Sequence, residues 1–325
     1  MRRSTRVHGT ALIVLMLLPS WFVGCAQGPY QYGKFPKRTD APEKVVVQRG
    51  GQHKAIDRMS DTLNWPRQKL FPRLPDKREI KPETLEQVAG YLNKNDMSEV
   101  HVSVRDYQPR EQWRRLRESR VTSPLSRYTL GSLGVVGYTL FPGKLFGANW
   151  YSPYTDTLYI NSESPTLIVH EAALAKNIRQ RKLPGAHAVA SQLPILRTWS
   201  DLDAAREVVG YAQAEDDWSL EEQTYRQIYP KVGAEAVVGA GLLVPVWWGI
   251  PLVRAAGGVA GGATGRAILA RREAEREDIQ NRLVEREVLG RDVQQASFDD
   301  PEDTSNRRYV TPSAHHESDR NSKRD

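Results

Sequence analysis

The alternation of apolar and polar residues in the first half of the chain predicts short helices and strands in mixed order. Apolar side chains recur at helical spacing over residues 82–92, which begin with a proline, and again over residues 110–118. Apolar and polar residues alternate over residues 99–107 and 157–161, which is the pattern of half-buried strands. Residues 128–150 are apolar but interrupted by glycines, and we predict loop and short strand there.

The pattern in the second half predicts helices. Helical spacing indicates a short helix over residues 186–193, a longer one over 198–217, and another over 220–228 that stops before Pro230. The fold class that follows is α+β, mainly helical, with a globular domain over residues 81–235.

An apolar, glycine-rich segment follows over residues 236–265. Its first 18 residues, 236–253, carry no charge, which is the lower length limit for a membrane span. Gly257, Gly261 and Gly265 recur every four residues, a spacing that lets two helices approach closely. Two structures remain open: a helical hairpin inserted into a membrane, or a buried hairpin of the globule that its prolines break into short pieces.

The C-terminal part of the chain is polar. Residues 266–293 are dense in charge, with sparse apolar positions at helical spacing, and we predict a charged, solvated helix. Residues 294–325 are polar and poor in aromatic side chains, and we predict a disordered tail.

The N-terminus has the layout of a secretory signal. Basic residues precede an apolar stretch over residues 11–23, and the chain's only cysteine, Cys25, follows. Residues 22–25, Phe-Val-Gly-Cys, resemble a bacterial lipobox, in which the cysteine becomes the lipidated first residue. We therefore predict a lipoprotein signal peptide over residues 1–24, lipidation of Cys25, and a place in the bacterial cell envelope, anchored to a membrane after export. Residues 25–80, rich in Pro, Gly, Lys and Arg, are expected to form an extended tether.

The formal net charge of +7 is spread along the chain. No basic block alternates with aromatic residues, as a nucleic-acid groove would require, so we expect no nucleic-acid partner. The sequence also lacks a Gly-x-Ser-x-Gly nucleophile motif and a phosphate-binding glycine loop. The expected partners are a membrane and another protein, which includes a second copy of this chain.

The candidate chemistry lies in residues 164–176, which begin with a Ser-Pro pair suited to a helix start. His170 and Glu171 match the first half of the zinc-peptidase signature His-Glu-x-x-His, in which two histidines bind one zinc ion and the glutamate is the base. Leu174 occupies the place of the second histidine. Because catalytic zinc ordinarily has three protein ligands, the alternative for His170 is a buried histidine bonded to a carbonyl or carboxylate.

Residues 151–160, just before this helix, have the sequence Tyr-Ser-Pro-Tyr-Thr-Asp-Thr-Leu-Tyr-Ile. Together with His170-Glu171 they resemble a group of bacterial membrane-associated, zincin-like (gluzincin-type) metallopeptidases. The pattern of that group is Tyr-Asn-Pro-aromatic-Thr-x-Thr-Ile, then an edge strand, then a His-Glu-x-x-His helix; Ser152 replaces its asparagine. The resemblance covers roughly residues 143–266 and implies a zincin-like core.

The resemblance implies roles for individual residues. His170 matches the first zinc ligand, Glu171 the catalytic base, and Asp201 the acidic ligand on a following helix, with a side chain one methylene shorter. Glu207, two turns further on, would orient a ligand histidine from outside the metal shell. His187, in the turn after the helix, is a candidate replacement for the missing ligand.

Three functions remain open at this point. The first, which we favour, is a catalytically inactive zincin-like lipoprotein that holds no cofactor and acts as an envelope scaffold or binding module. The second is an active zinc metallopeptidase with a rearranged ligand set. The third is a structural membrane protein that assembles through its glycine repeat.

Overall fold

The computed structural model describes seven stretches of the chain: residues 29–35, 42–51, 58–59, 79–141, 149–191, 193–241 and 250–298. The predicted signal peptide, Cys25 and residues 299–325 of the predicted tail lie outside the described residues. The chain divides into two compact units, Met1–Ala270 and Arg271–Asp325.

A small mixed sheet lies at the centre of the first unit. Its strands are β1 (Val47–Arg49), β2 (His101–Val104), β3 (Trp150–Ser152) and β4 (Thr157–Ile160), in the spatial order β1-β2-β4-β3. The first three strands in that order run parallel, and β3 pairs antiparallel with β4 at the edge. The strands predicted over residues 99–107 and 157–161 are present, but they are not half-buried: every residue of β2 and β4, the two inner strands, is buried.

Proline opens several of the helices, because its missing N–H is no loss in the first turn. The described helices are α1 (Pro82–Lys94), α2 (Pro109–Glu118), α3 (Ser132–Leu140), α4 (Pro165–Arg179), α5 (Pro184–Ala190), α6 (Pro194–Ala214), α7 (Trp218–Gln223), α8 (Tyr229–Gly241) and α9 (Ile250–Phe298). A one-turn helix (Pro124–Ser126) and a π-helical turn (Arg127–Gly131) precede α3, and a second π-helical turn (Thr224–Ile228) joins α7 to α8. The prediction of an α+β, mainly helical fold is confirmed.

The prediction of loop is wrong for residues 128–140, which form the π-helical turn and α3, whereas Trp150 begins a strand and residues 142–148 lie outside the described residues. Gly131, Gly134 and Gly137, which suggested a loop, lie inside helical turns. At Gly131 a Cβ atom would come within 2.6 Å of Leu116 Cδ1, so this glycine permits close packing of the turn on α2. Pro230 also fails to end its helix: it lies in the first turn of α8, directly after a π-helical turn, where the register of backbone bonds shifts.

The predicted tether over residues 25–80 is wrong for the parts that the structure describes. Val47 begins β1, which hydrogen-bonds alongside β2, and Tyr30, Phe35 and Val45 pack against the main core. A row of three valines suits a strand, and the free edge of β2 provides its partner. The described residues 29–35 and 42–51 are therefore part of the globule.

The main core lies between the sheet and the helices α1, α4 and α6. It includes fully buried Leu92, Val102, Ile160 and Ile168. A second apolar cluster contains residues of α6, α8 and α9 and the π-helical turn between α7 and α8. Helix α4 packs most extensively against α6, so the face that carries His170 lies inside the protein.

The glycine repeat packs against the chain's own preceding helix. A Cβ atom on Gly257 would overlap the backbone oxygen of Gly233, and on Gly261 that of Tyr229. A Cβ atom on Gly265 would likewise overlap the backbone oxygen of Tyr225, in the π-helical turn before α8. Residues 242–249 of the apolar run lie outside the described residues. None of the helices in the described ranges is long and apolar enough to cross a membrane.

The second unit contains the C-terminal half of α9. Ion pairs one turn apart line it, including Arg271–Glu275 (3.0 Å) and Arg282–Asp278 (2.8 Å). The prediction of a charged helix is confirmed, but the helix extends to Phe298, so the first residues of the predicted tail are helical.

Candidate functional site

Helix α4 presents His170 to the interior. The helix begins at Pro165, as the sequence predicts, although Ser164 does not cap it with its side chain; Ser164 Oγ instead lies 3.2 Å from Gln227 Oε1. His170, in the middle of the helix, is fully buried. Leu174, one turn further on, packs against the main core.

The imidazole of His170 is bonded to the backbone of α6. Its Nε2 lies 3.1 Å from the carbonyl oxygen of Asp201, so Nε2–H is the donor. Its Nδ1 has no hydrogen-bond partner among the described residues and lies 4.0 Å from Glu171 Oε1. Burial, and the positive charges of Lys231 and Arg197, lower the pKa of His170 to about 3, so the ring is neutral.

Glu171 is paired with a lysine from α8. Lys231 Nζ lies 3.7 Å from Glu171 Oε1, and the Glu171 side chain is only 12% exposed. Burial raises the pKa of Glu171, while Lys231, Arg197 and a backbone hydrogen bond from Tyr151 lower it. The carboxylate therefore has charged and hydrogen-bonding partners inside the protein.

Asp201 faces a second carboxyl group. Burial and a hydrogen bond with Glu235 raise the pKa of Asp201 to about 8, so Asp201 holds a proton at neutral pH. Arg197 Nε lies between these acids, 3.8 Å from Asp201 Oδ2 and 3.5 Å from Glu235 Oε2. A protonated carboxyl and a guanidinium thus limit repulsion between the buried acids.

Six side chains therefore form one polar group, which we call the His170 cluster: His170, Glu171, Arg197, Asp201, Lys231 and Glu235. His170, Glu171 and Asp201 are candidate site residues in the sequence, whereas the other three were not predicted. The available signal was spacing, because Arg197–Asp201 and Lys231–Glu235 are both pairs one helical turn apart.

The His170 cluster does not fit a zinc ion. Within the described ranges, no three His, Cys, Asp or Glu side chains are arranged to hold a metal. His170 directs Nε2 at a backbone carbonyl, and the ammonium of Lys231 carries positive charge beside Glu171. His187 lies on α5, where its charged neighbours are Arg181 and Asp203 rather than members of the cluster.

Glu207 does not orient a metal-ligand histidine, and that prediction is wrong. It forms an ion pair with Lys176, a fully buried lysine on α4, and accepts a hydrogen bond from the Tyr30 hydroxyl at 2.7 Å. Tyr91 also donates to it, at 3.2 Å. Glu207 lies six residues after Asp201, so the helix turns its side chain away from His170 and towards the N-terminal segment.

The Tyr-Ser-Pro-Tyr motif has a structural role at the sheet edge. The Tyr151 hydroxyl donates to Asp156 Oδ1 at 2.7 Å, and Arg179 donates to Asp156 Oδ2 at 2.6 Å. Arg179 also donates to Glu99 Oε2 at 3.3 Å. These bonds hold the turn between β3 and β4 against the end of α4, which fixes the position of the Tyr151 backbone beside Glu171.

A cavity of about 380 Å³ borders this turn. Its walls include Glu99, Arg115, Asp156 and Arg179, and none of its lining residues belongs to the His170 cluster. The cluster is therefore not part of this cavity.

Comparison of the chain with protein-family models, with curated proteins and with solved structures finds no match in any of the three.

The titration of Asp201 gives a pH-dependent stability. Its pKa is about 8 in the folded protein against 3.8 ordinarily, so between these values the folded chain binds more protons than the unfolded chain. The stability linked to this group is complete below pH 4 and is lost as the pH rises through 8. About 1 kcal/mol should be lost between pH 7 and pH 8, measured as the free energy of unfolding in urea. Asp201→Asn should remove this decrease.

The control is Asp203→Asn, at a half-buried aspartate on the same helix that lies 3.5 Å from Arg181, which should keep the wild-type pH dependence. His170 acts weakly and in the opposite direction in this range: its folded pKa is about 3 and its ordinary value 6.5, so the unfolded chain is still partly protonated at pH 7. A decrease of the same size in Asp201→Asn would contradict the assignment to Asp201.

Proposed function

We propose that this protein is a lipid-anchored protein of the bacterial cell envelope whose zincin-like domain is not catalytic and serves as a scaffold or binding module. The observation that carries the non-catalytic part is the composition of the His170 cluster. Lys231 and Arg197 supply positive charge beside the very carboxylates that a metal would need, and Leu174 stands in place of a ligand.

The order of elements supports the zincin-like part of the proposal. The motif of residues 151–160 lies in the β3–β4 hairpin, with β3 at the sheet edge, and α4 follows with His170 and Glu171. Helix α6 then brings Asp201 against His170. This is the order that the resemblance implies. The envelope location and the lipid anchor are supported by the signal and lipobox pattern of residues 1–25.

The charge of the cluster supports inactivity on physical grounds. A divalent cation placed beside His170 would be repelled by an ammonium and a guanidinium that are already paired with acids. Displacing either cation would leave a charge unpaired inside the protein, which is strongly unfavourable. The cluster therefore favours a structural role for the polar side chains on α4, α6 and α8.

We expect purified full-length protein to contain less than about 0.1 zinc ion per chain, because the site lacks three convergent ligands. The measurement is elemental analysis of protein prepared without chelators. The matched variant is Leu174→His combined with Lys231→Met, which restores the second histidine and removes the ammonium, and it should retain more zinc than the wild type. Stoichiometric zinc in the wild type that His170→Ala abolishes would overturn the proposal.

The active-metallopeptidase alternative makes a separate prediction. Peptide hydrolysis by the wild type that falls by orders of magnitude in Glu171→Gln would establish catalysis with Glu171 as the base. The third function, assembly through the glycine repeat, is less favoured, because Gly257, Gly261 and Gly265 already pack against residues of their own chain.

A further inference from the structure

Helix α3 and the turns before it expose a row of large apolar side chains. Leu125 is 78% exposed, Leu133 68%, Leu140 65% and Phe141 66%. The opposite side of the same segment is fixed to the protein: Gly131, Val135 and Tyr138 are buried, and the Tyr138 hydroxyl donates to the backbone oxygen of Asp106 at 2.9 Å. This helix is therefore held in place with an apolar side directed outward.

A second row of exposed apolar residues lies next to the first. It begins at Leu183, before α5, and ends at Trp199 on α6. The two segments touch at Gly185, which is buried, because a Cβ atom there would overlap Ser126 Oγ in the turn before α3. The residues that we call the apolar face are Leu125, Tyr128, Leu130, Leu133, Val136, Leu140, Phe141, Leu183, Val189, Leu193, Leu196 and Trp199.

The first row carries no charge. Residues 128–141 contain no Asp, Glu, Lys or Arg, and basic residues, Arg127 and Lys144, flank the run in the sequence. Soluble proteins rarely expose many large apolar side chains on one helix and its turns, and such side chains mark a surface that another apolar phase covers. Exposed leucines and aromatic side chains on one side of a helix can enter a membrane interface, where nearby basic residues meet anionic headgroups.

The N-terminal segment places the globule close to a membrane. Tyr30 is docked: its hydroxyl lies within 3.1 Å of Lys176 Nζ, and Lys176 also donates to the backbone oxygen of Gln31 at 2.6 Å. Four residues lie between Cys25 and Tyr30, and the five Cα–Cα steps that join them span at most about 18 Å. A lipid on Cys25 would therefore hold the globule against the bilayer, with no long tether to separate them.

We propose that the apolar face lies in the interfacial region of the membrane that carries the lipid anchor. This inference rests on the anchor of the proposed function and adds the surface of the globule that meets the bilayer. The exposed leucines of α3 enter the boundary between headgroups and acyl chains, and the aromatic rings of Tyr128 and Trp199 suit the headgroup level. The protein thus sits on the membrane in one orientation.

The test measures the depth of a fluorophore in the full-length protein, reconstituted into phosphatidylcholine vesicles. Cys25 is the only cysteine, and lipidation removes its thiol, so Leu133→Cys provides a single labelling site. The matched control is Leu283→Cys, an exposed leucine in the charged part of α9. The fluorophore at residue 133 should be at least about fivefold less sensitive to aqueous iodide than at residue 283, and should be quenched by bromine on the lipid acyl chains.

Two outcomes would overturn the proposal. Equal iodide quenching at the two positions would show that the face lies in water. Protection from iodide without quenching by brominated lipid would show that protein covers it. The anchor is tested separately, by thiol titration and mass of the wild-type N-terminus. If the thiol is free, the anchor fails, and the same depth measurement in a Cys25→Ala background still decides whether the apolar face enters the bilayer.

Discussion

Gly261→Leu is expected to lower the free energy of unfolding by about 3 kcal/mol or more. A Cβ atom at residue 261 would overlap the backbone oxygen of Tyr229 and come within 3.0 Å of Gly233 Cα. Backbone atoms cannot rotate aside as a flexible side chain can, so α8 and α9 would have to separate. That separation would expose the apolar cluster that includes Val232 and Leu269. The measurement is the midpoint of urea unfolding.

The matched control is Gly262→Ala, one residue further along the same helix. The atoms nearest to an added Cβ there are 3.5 Å away, an ordinary contact distance. Alanine should be neutral or should stabilise the protein by about 0.5–1 kcal/mol, because it loses less backbone entropy than glycine in a helix. Similar losses of stability in the two variants would mean that close packing of α8 on α9 is not the reason for the glycine repeat.

Glu207→Leu is expected to lower the free energy of unfolding by about 3 kcal/mol, because it leaves the ammonium of Lys176 without its ion-pair partner inside the protein. The Lys176 side chain is only 1% exposed. Burial lowers the pKa of Lys176, and the contact with Glu207 opposes that change. The variant should also release the N-terminal segment, since Tyr30 donates to the same carboxylate. Urea unfolding measures the first effect, and faster hydrogen exchange over residues 29–35 measures the second.

The control for this prediction is the double variant Lys176→Met with Glu207→Leu. It removes both charges, so no buried ammonium remains, and most of the lost stability should return. A double variant that is less stable than Glu207→Leu would contradict the view that an unpaired charge is the cause.

Local chemistry allowed the positions of many elements to be predicted. The helix at Pro165 and the strands at residues 101–104 and 157–160 follow from proline and from alternating side chains, which act within a few residues. The predictions failed where contacts between distant parts of the chain determine the local structure. Glycines at residues 131, 134 and 137 suggested a loop, but the turn around Gly131 packs on Leu116, which the local pattern does not contain.

The residues of the candidate site divide in the same way, into those predicted from the sequence and those that only tertiary packing brings together. The His170–Glu171 pair and the substitution by Leu174 were visible in the sequence, and they made inactivity the favoured prediction. Glu207 was assigned to the wrong neighbours, because its side chain projects from a different side of α6 than Asp201 does. Lys231 and Glu235 were not found, because they come from α8, and only the packing of that helix on α6 brings them beside His170.

The sequence by itself determined many of the helices and strands, the mainly helical α+β class, and that Leu174 occupies the position of the second histidine of the zinc-peptidase signature. The tertiary structure alone decided what surrounds His170: a carbonyl, two paired cations and a protonated aspartate. The physical reason is the distance along the chain over which each effect acts. Helix and strand preferences depend on neighbours in the chain, whereas the charge and pKa of a buried side chain depend on groups that distant segments bring within about 4 Å.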